Sequence, residues 1–266
     1  MTTTYDELAN QHSFKRTLGA PIQLEATDVH DIIGDRRDMW FVHPQKMGGH
    51  SVMGLEKNPI GKFKFRCSTH GWMFTPKTSS SYYVEILKGD KSKYVVYSHT
   101  RNPYDWLVSF YFHYPHGVGY VAESCKSFKA FILDIHNSNS KCDYFQPTRS
   151  AIGEARWPMR YLQSWQTFEP LSSNTAKRSL ADFYIRCERM NEAYSEIFDI
   201  DIAHTNKTAG KKKDYRYHWD NEMIDIIEEK RAQELHLLGY DFNGPLDDAY
   251  AIKVTGTYKF MNGRQR

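Results

Sequence analysis

The architecture of this chain is clearest in the segment Met39-Trp40-Phe41-Val42-His43-Pro44-Gln45-Lys46-Met47-Gly48-Gly49-His50-Ser51. Its first five residues form a nearly continuous apolar run, which is typical of a strand buried on both faces of a parallel sheet. The Pro-x-x-x-Gly-Gly pattern that follows cannot continue a strand, and Ser51 is a suitable N-cap for a helix. The segment therefore predicts a strand, a loop and a helix.

The loop of this segment, Lys46-Met47-Gly48-Gly49-His50-Ser51, has the composition of an anion-binding loop. Two glycines allow backbone N–H groups to approach a phosphate closely, and the start of a helix adds partial positive charge. Lys46 supplies a mobile cation and Ser51 a hydroxyl donor. The loop is not a Walker A motif, because the GxxxxGK order is absent and the lysine precedes the glycines. A tight turn with an incidental lysine is the alternative interpretation.

A second strand is predicted at residues 93–99, and it ends in Arg101-Asn102-Pro103-Tyr104-Asp105-Trp106-Leu107-Val108-Ser109. Pro103 suits the first turn of a helix. Arg101 leaves the strand end, where its guanidinium can hold a phosphate through two hydrogen bonds, and Ser109 on the second helical turn can face the same anion. Alternatively, Arg101 pairs with Asp105. Ligands of open α/β sheets bind at the carboxyl ends of the strands, so the two loops indicate one site.

The remaining periodic segments complete a single α/β domain with a central parallel sheet flanked by helices. A third strand is predicted at residues 181–186, and helices at 127–136, 159–168, 190–198 and 220–238. The tail, 249–260, alternates as an edge hairpin would. We assign residues 1–37 to a polar lead-in segment and residues 38–266 to the domain.

The composition argues against several classes of protein. A formal net charge of +3 over 266 residues is too small to indicate nucleic-acid binding. No apolar run approaches the roughly 18 residues of a membrane span, so we expect a cytoplasmic protein without a membrane partner. The sequence does not indicate an oligomeric state. The four cysteines contain no CxxC pair, which argues against a zinc ribbon or a thioredoxin motif.

Together, the two loops resemble those of the sulfotransferase superfamily, and the carbohydrate and heparan-type branch is the most similar. The 5′-phosphosulfate loop of that family reads much like F-I/V-H-x-P-K-T-G-G-T-S. A second signature, R-N/D-P-x-x-R-L-V/I-S, binds the 3′-phosphate of the donor. The segment 101–109 matches the second signature, with Trp106 where the family often has arginine. In the first, Lys46, Gly48, Gly49 and Ser51 are retained, whereas Gln45, Met47 and His50 depart from the pattern.

The resemblance continues downstream, so that it covers residues 39–242. Residues 184–190 are similar to the family's hhR.E.L passage from strand to helix, and residues 204–208 to its H.N.S loop. The resemblance implies a P-loop-like sulfotransferase fold and the donor 3′-phosphoadenosine 5′-phosphosulfate. It also implies that the basic loop 207–216 covers the nucleotide, and that one of Tyr215, Arg216 or Tyr217 contacts the adenine or the 3′-phosphate. The donor-binding residues are then Lys46, Gly48, Gly49, His50, Ser51, Arg101, Ser109, Lys207, Thr208, Tyr215, Arg216 and Tyr217.

Sulfuryl transfer is an in-line displacement, so it needs a base for the acceptor hydroxyl and positive charge at the leaving oxygen. Lys46 suits the leaving oxygen. We prefer His70 as the base, because related family members carry a histidine in this interval and an imidazole has a suitable pKa. His50, inside the loop, is the rival. No metal is expected, because His113 and His116 lack a third ligand and the reaction needs none.

We therefore expect a sulfotransferase that transfers a sulfuryl group to a hydroxyl of a glycan or small-molecule acceptor, with 3′,5′-adenosine bisphosphate as the other product. A P-loop-like nucleotide kinase or NTPase is the second hypothesis, and the missing Walker A order weakens it. A catalytically inactive anion- or glycan-binding protein of the same fold is the third. The departures at Met47 and His50 keep that hypothesis open.

Overall fold

The computed structural model describes residues 20–44, 46–57, 60–67, 90, 92–113, 127–135, 177–179, 181–202, 214–255 and 257–258. The strands in this part of the chain are β1 (Ile22–Leu24), β2 (Asp38–Val42), β3 (Lys64–Cys67), β4 (Tyr94–Thr100), β5 (Lys177–Arg178), β6 (Phe183–Arg186), β7 (Ala251–Lys253) and β8 (Thr257–Tyr258). The α-helices are α1 (Ala26–Ile33), α2 (Gly49–Lys57), α3 (Pro103–His113), α4 (Phe128–Ile135), α5 (Met190–Phe198), α6 (Asn221–Lys230) and α7 (Ala232–Leu238). Short 3₁₀ turns lie at Cys187–Arg189 and Tyr215–His218.

Within the described residues, six strands form the central sheet in the order β1-β7-β6-β4-β2-β3. β6, β4, β2 and β3 run parallel to one another. β7 is antiparallel to β6 and to β1. The protein is thus α/β with a mostly parallel sheet, as the alternation of strands and helices predicts. The predicted edge hairpin in the tail is wrong, because β7 pairs with β1 and β6 whereas β8 pairs with β5.

The central strand β4 shows why the parallel part of the sheet is recognisable in the sequence. All seven of its residues are buried, because helices cover both of its faces. β3 is different. It lies at the edge, where Lys64 and Arg66 are exposed and only Phe65 of the four residues is buried. Because of these charged side chains, the sequence pattern of β3 does not indicate a buried strand.

Two hydrophobic cores lie on the two faces of the sheet. One contains residues of α1, α2 and α5, such as Val29, Val52 and Ile197. The other contains residues of α3, α4, α6 and α7, such as Leu107 and Leu235. The helices that follow β2 and β4 therefore cover opposite faces, and the chain leaves these neighbouring strands in opposite directions along the sheet. The carboxyl ends of β2 and β4 thus form a topological switch point, where ligands of open α/β sheets bind.

The helix predicted at 220–238 is two helices, which meet at Arg231. Asp220 caps the first, since its carboxylate accepts from the Met223 N–H at 3.0 Å. Arg231 leaves the helical conformation at φ −117° and ψ 17°, and its buried guanidinium pairs with Glu234 at 2.6 Å. Gly239 ends the second helix with φ 67°, in agreement with the predicted stop.

Two further differences concern the ends of the predicted elements. Residues 20–37 of the predicted lead-in segment contain β1 and α1, and both pack against the sheet or its covering helices. The predicted helix at 159–168 lies outside the described residues. None of the described helices has the length and apolarity that a membrane crossing requires.

Candidate functional site

The loop between β2 and α2 has an unusual backbone. Lys46 has φ 63° and Gly48 has φ 71°, whereas Met47 between them has a negative φ. Backbone segments in which φ changes sign from residue to residue turn successive N–H groups toward one point, and such concavities bind anions. α2 begins directly afterwards at Gly49, so the partial positive charge of the helix N-terminus lies at the same place.

His43 explains why the second glycine of the loop carries no side chain. A Cβ atom on Gly49 would lie 1.7 Å from His43 Nε2, far inside contact distance. His43 is buried, and its ring packs 5.7 Å from that of Phe41. The imidazole therefore occupies the space beside Gly49 and lets the backbone pass close above it.

Met47, His50 and Ser51 have different environments in this loop. Met47 is completely buried and packs in the core beneath α3, so its side chain anchors the loop. His50 is exposed on the first turn of α2, and its ring lies 6.2 Å from that of His43. Ser51 is buried, and its N–H donates to the carbonyl of Gly48 at 3.0 Å. The amides of the loop remain the main features that an anion would contact.

Arg101 joins this loop to the end of β4. Its Nη1 donates to the carbonyl of Lys46 at 3.0 Å. Its Nε donates to Asp105 Oδ2 at 2.7 Å, and its Nη2 lies 2.6 Å from the same oxygen. Burial alone would lower the pKa of Arg101, but the nearby acidic groups, with Asp105 first among them, together raise it above its ordinary value. Both interpretations of Arg101 are thus compatible with the structure, because Arg101 contacts the loop that we predict to bind an anion and also pairs with Asp105.

The Asn102 side chain makes hydrogen bonds to three parts of the protein around the second segment. Its Oδ1 caps α3 by accepting from the Tyr104 N–H at 2.9 Å, and Pro103 occupies the first helical position. Its Nδ2 donates to the carbonyl of Asp241 at 2.9 Å and to the hydroxyl of Tyr215 at 3.2 Å. One buried side chain therefore ties α3 to the segments on either side of α6 and α7.

Asp105 and Ser109 are four residues apart on α3, so they lie on the same face of the helix. The Arg101 side chain, which pairs with Asp105, lies at this face. Ser109 itself is buried, with 2% of its surface exposed. Trp106 is also buried, and the guanidinium of Arg231 lies 5.4 Å from the centre of its ring. The position at which the family often has arginine thus contributes to the core here.

Glu188 closes the site from the 3₁₀ turn after β6. Its Oε1 accepts from the Asn102 N–H at 2.6 Å, and its Oε2 accepts from the Tyr240 hydroxyl at 3.0 Å. The residue is exposed to solvent, and yet removal from water by the surrounding protein raises the pKa of its carboxyl group. Glu188 thus lies beside Asn102, directly after the carboxyl end of β6.

The turn Tyr215–His218 meets the same site from the other side. The Tyr215 hydroxyl donates to the carbonyl of Phe242 at 2.5 Å and accepts from Asn102. Desolvation raises the pKa of that hydroxyl. Arg216 and Tyr217 are exposed, and Arg216 pairs with Asp214, which caps the turn. Of the three residues weighed for the nucleotide, Tyr215 serves the scaffold and the other two face solvent.

His99 lies beneath the loop on β4 and is completely buried. Its Nδ1 lies 2.6 Å from the carbonyl oxygen of Met47, and its Nε2 lies 3.0 Å from the Tyr194 hydroxyl. Burial lowers the pKa of His99 to about 4, so the ring is neutral at physiological pH. The sequence offers no separate signal for this residue, because it reads as one more position of a buried strand.

The structure therefore brings Arg101 to the loop from Lys46 to Ser51, and it brings Tyr215 to Asn102 beside Arg101. Ser109 is buried within α3, and among the described residues it makes no hydrogen bond to the loop. Sequence reasoning missed the roles of His99 and Glu188 at this place, whereas it interpreted His43 as a packing residue at the end of the strand, and the structure confirms that His43 is buried there. Glu188 stands in the segment that resembles the family's passage from strand to helix, and that pattern was the available signal. The predicted base His70 and the predicted donor ligands Lys207 and Thr208 lie outside the described residues. In the ranges that the structure covers, no group of three or more His, Cys, Asp or Glu side chains could hold a metal ion.

Comparisons of the chain with known proteins add nothing to the interpretation of this geometry. No family model, no curated protein and no solved structure matches the chain.

Proposed function

We propose that this protein is a sulfotransferase with a P-loop-like sulfotransferase fold, which takes the sulfuryl group from 3′-phosphoadenosine 5′-phosphosulfate and transfers it to a hydroxyl of a glycan or small molecule. One observation carries the proposal. The Arg101 side chain donates to the backbone of Lys46 at 3.0 Å, so the two segments that resemble the two phosphate-binding signatures meet at one point. A donor with a phosphate at each end fits two adjoining anion sites.

The location supports the same function. Both segments follow neighbouring strands at the switch point of the sheet, which is where open α/β folds bind nucleotides. In the proposed complex, the amides of Gly48 to His50 and the hydroxyl of Ser51 hold the 5′-phosphosulfate. Lys46 stabilises the charge that develops on the leaving oxygen. Arg101 and Ser109 hold the 3′-phosphate.

The acceptor hydroxyl must lose a proton as it attacks sulfur, so a base is needed near the sulfuryl group. His70 remains our preferred base and His50 its rival. His50 is exposed on the first turn of α2, directly beside the proposed position of the sulfuryl group. The bond between sulfur and the bridging oxygen of the donor breaks as the new bond to the acceptor oxygen forms, and 3′,5′-adenosine bisphosphate departs.

Isothermal titration calorimetry in buffer with EDTA tests this proposal. We expect 3′,5′-adenosine bisphosphate to bind without a metal ion, and far more tightly than ATP binds in buffer with Mg²⁺. Arg101→Ala should weaken the bisphosphate by tenfold or more, because the 3′-phosphate loses a charge-assisted partner. Arg37→Ala is the matched control, since Arg37 is exposed near the opposite end of the parallel strands.

Two results would overturn the proposal. Tighter binding of ATP with Mg²⁺ would favour the nucleotide kinase or NTPase. Equal losses in the Arg101 and Arg37 variants would show that only general charge attraction is measured. The catalytically inactive alternative predicts tight binding of the bisphosphate with no transfer from labelled donor to any of a panel of glycan and phenol acceptors.

A further inference from the structure

A chain of buried hydrogen bonds runs from the core to the anion-binding loop. The Tyr97 and Tyr194 hydroxyls lie 3.0 Å apart, and the Tyr194 hydroxyl lies 3.0 Å from His99 Nε2. The other ring nitrogen, Nδ1, lies 2.6 Å from the carbonyl oxygen of Met47. Tyr97, His99 and Tyr194 are all completely buried. This series of hydrogen bonds therefore connects α5 and β4 to one backbone carbonyl of the loop.

The donor and acceptor of each of these hydrogen bonds follow from the last acceptor, the Met47 carbonyl. A carbonyl oxygen can only accept, so His99 Nδ1 must carry the proton and donate to Met47. The ring is neutral, so Nε2 is unprotonated and accepts from the Tyr194 hydroxyl. The Tyr97 hydroxyl then donates to the oxygen of Tyr194. One tautomer of His99 satisfies the whole chain.

The carbonyl of Met47 belongs to the most constrained part of the loop. Lys46 before it has φ 63° although it is not glycine, and Gly48 after it has φ 71°. A left-handed conformation is unfavourable for lysine, so it persists only where the surrounding structure holds it. The buried side chain of Met47 holds this residue from one face of the sheet, and His99 holds its carbonyl from the other.

We propose that His99 is a positioning residue, which holds the backbone of residues 46–48 so that the loop amides point at the bound anion. His99 acts on the loop through its hydrogen bond to the Met47 carbonyl, and in this proposal it does not contact the anion itself. The effect on donor affinity rests on the proposed function, whereas the effect on the loop backbone does not.

Three substitutions separate this role from a general contribution to the core. His99→Phe keeps the ring but removes the donor to Met47. His99→Asn retains an N–H donor at the position of Nδ1 and removes the acceptor at Nε2. Tyr97→Phe is the matched control, because it removes the hydroxyl at the far end of the chain, two residues away on the same strand. Each variant is first checked for folding by circular dichroism.

Two measurements are made on each folded variant: hydrogen–deuterium exchange of the peptides that span residues 43–52, and calorimetric affinity for 3′,5′-adenosine bisphosphate. We expect His99→Phe to raise amide exchange in the loop and to weaken the nucleotide by about tenfold or more, which corresponds to the loss of one buried hydrogen bond. His99→Asn should restore most of both properties. Tyr97→Phe should leave both as in the wild type.

The inference is overturned if His99→Phe exchanges and binds like the wild type, or if Tyr97→Phe causes the same losses as His99→Phe. It is also overturned if His99→Asn is as impaired as His99→Phe. If the wild type binds no bisphosphate but loop exchange follows the expected order, the positioning role stands and the proposed function fails.

Discussion

The close approach of Gly49 and His43 makes a sharp prediction about the loop. In Gly49→Ala, the new Cβ would lie 1.7, 1.9 and 2.2 Å from three atoms of the His43 ring. The buried ring must move by more than 1 Å, or the loop must lift from it. Overpacking of this kind costs about 1–3 kcal/mol. We therefore expect the free energy of unfolding of Gly49→Ala to fall by about 2 kcal/mol.

The same helix provides the control. A Cβ on Gly54 would meet nothing within 4 Å, and Gly54 is exposed inside α2. Replacing an unhindered helical glycine by alanine stabilises a protein by about 0.5–1 kcal/mol. Urea unfolding followed by circular dichroism should therefore give opposite signs for two chemically identical substitutions five residues apart.

A double-mutant cycle identifies the cause. His43→Ala removes the ring, so Gly49→Ala should cost at least ~1 kcal/mol less in the His43→Ala background than in the wild type. Additive effects in this cycle, or a Gly49→Ala variant as stable as the wild type, would refute the reasoning that the imidazole of His43 occupies the space beside Gly49.

Three further predictions concern the site and its chemistry. Asp105→Asn should raise the affinity for 3′,5′-adenosine bisphosphate about fivefold, ~1 kcal/mol, because Asp105 competes with the 3′-phosphate for the Arg101 guanidinium. The control Asp35→Asn, at the opposite end of the parallel strands, should leave the affinity measured by calorimetry unchanged. Lowering the pH from 7 to 4 should lower the free energy of unfolding by about 3 kcal/mol, because the pKa of His99 is near 6.5 in the unfolded chain but about 4 in the folded protein. In urea titrations, His99→Gln should flatten this part of the plot of stability against pH. An unchanged plot would refute the prediction. His70→Ala should lower turnover about 10²-fold while the nucleotide affinity stays nearly intact; if His50→Ala alone does so, His50 is the base.

The parallel centre of the sheet was predictable because burial on both faces leaves a continuous apolar run, as in β2 and β4. The strand β3 was not, since an edge strand carries exposed charges at alternate positions, such as Lys64 and Arg66. The break at Arg231 was also hidden, because it depends on a buried partner, Glu234, that local periodicity does not reveal. Local patterns thus predict strands that are buried on both faces, and they fail at an exposed edge strand and at a break that periodicity does not show.

The candidate site shows the same division. Lys46, Gly48 and Arg101 could be selected from the sequence because their residue types suit anion binding at the ends of strands. The pairing of Arg101 with Asp105 was one of two open alternatives, and only the geometry shows that Arg101 contacts both Asp105 and the loop. The role of His99 could not be predicted, because its partner is a backbone carbonyl 52 residues away.

The central claim is that a single bisphosphorylated nucleotide bridges the ends of β2 and β4. A crystal structure of the protein with 3′,5′-adenosine bisphosphate measures this directly. We expect the 5′-phosphate within hydrogen-bonding distance of the amides of Gly48 to His50, and the 3′-phosphate within reach of Arg101. A nucleotide bound at any other edge of the sheet, or one whose 3′-phosphate lies in solvent away from Arg101, would contradict the account.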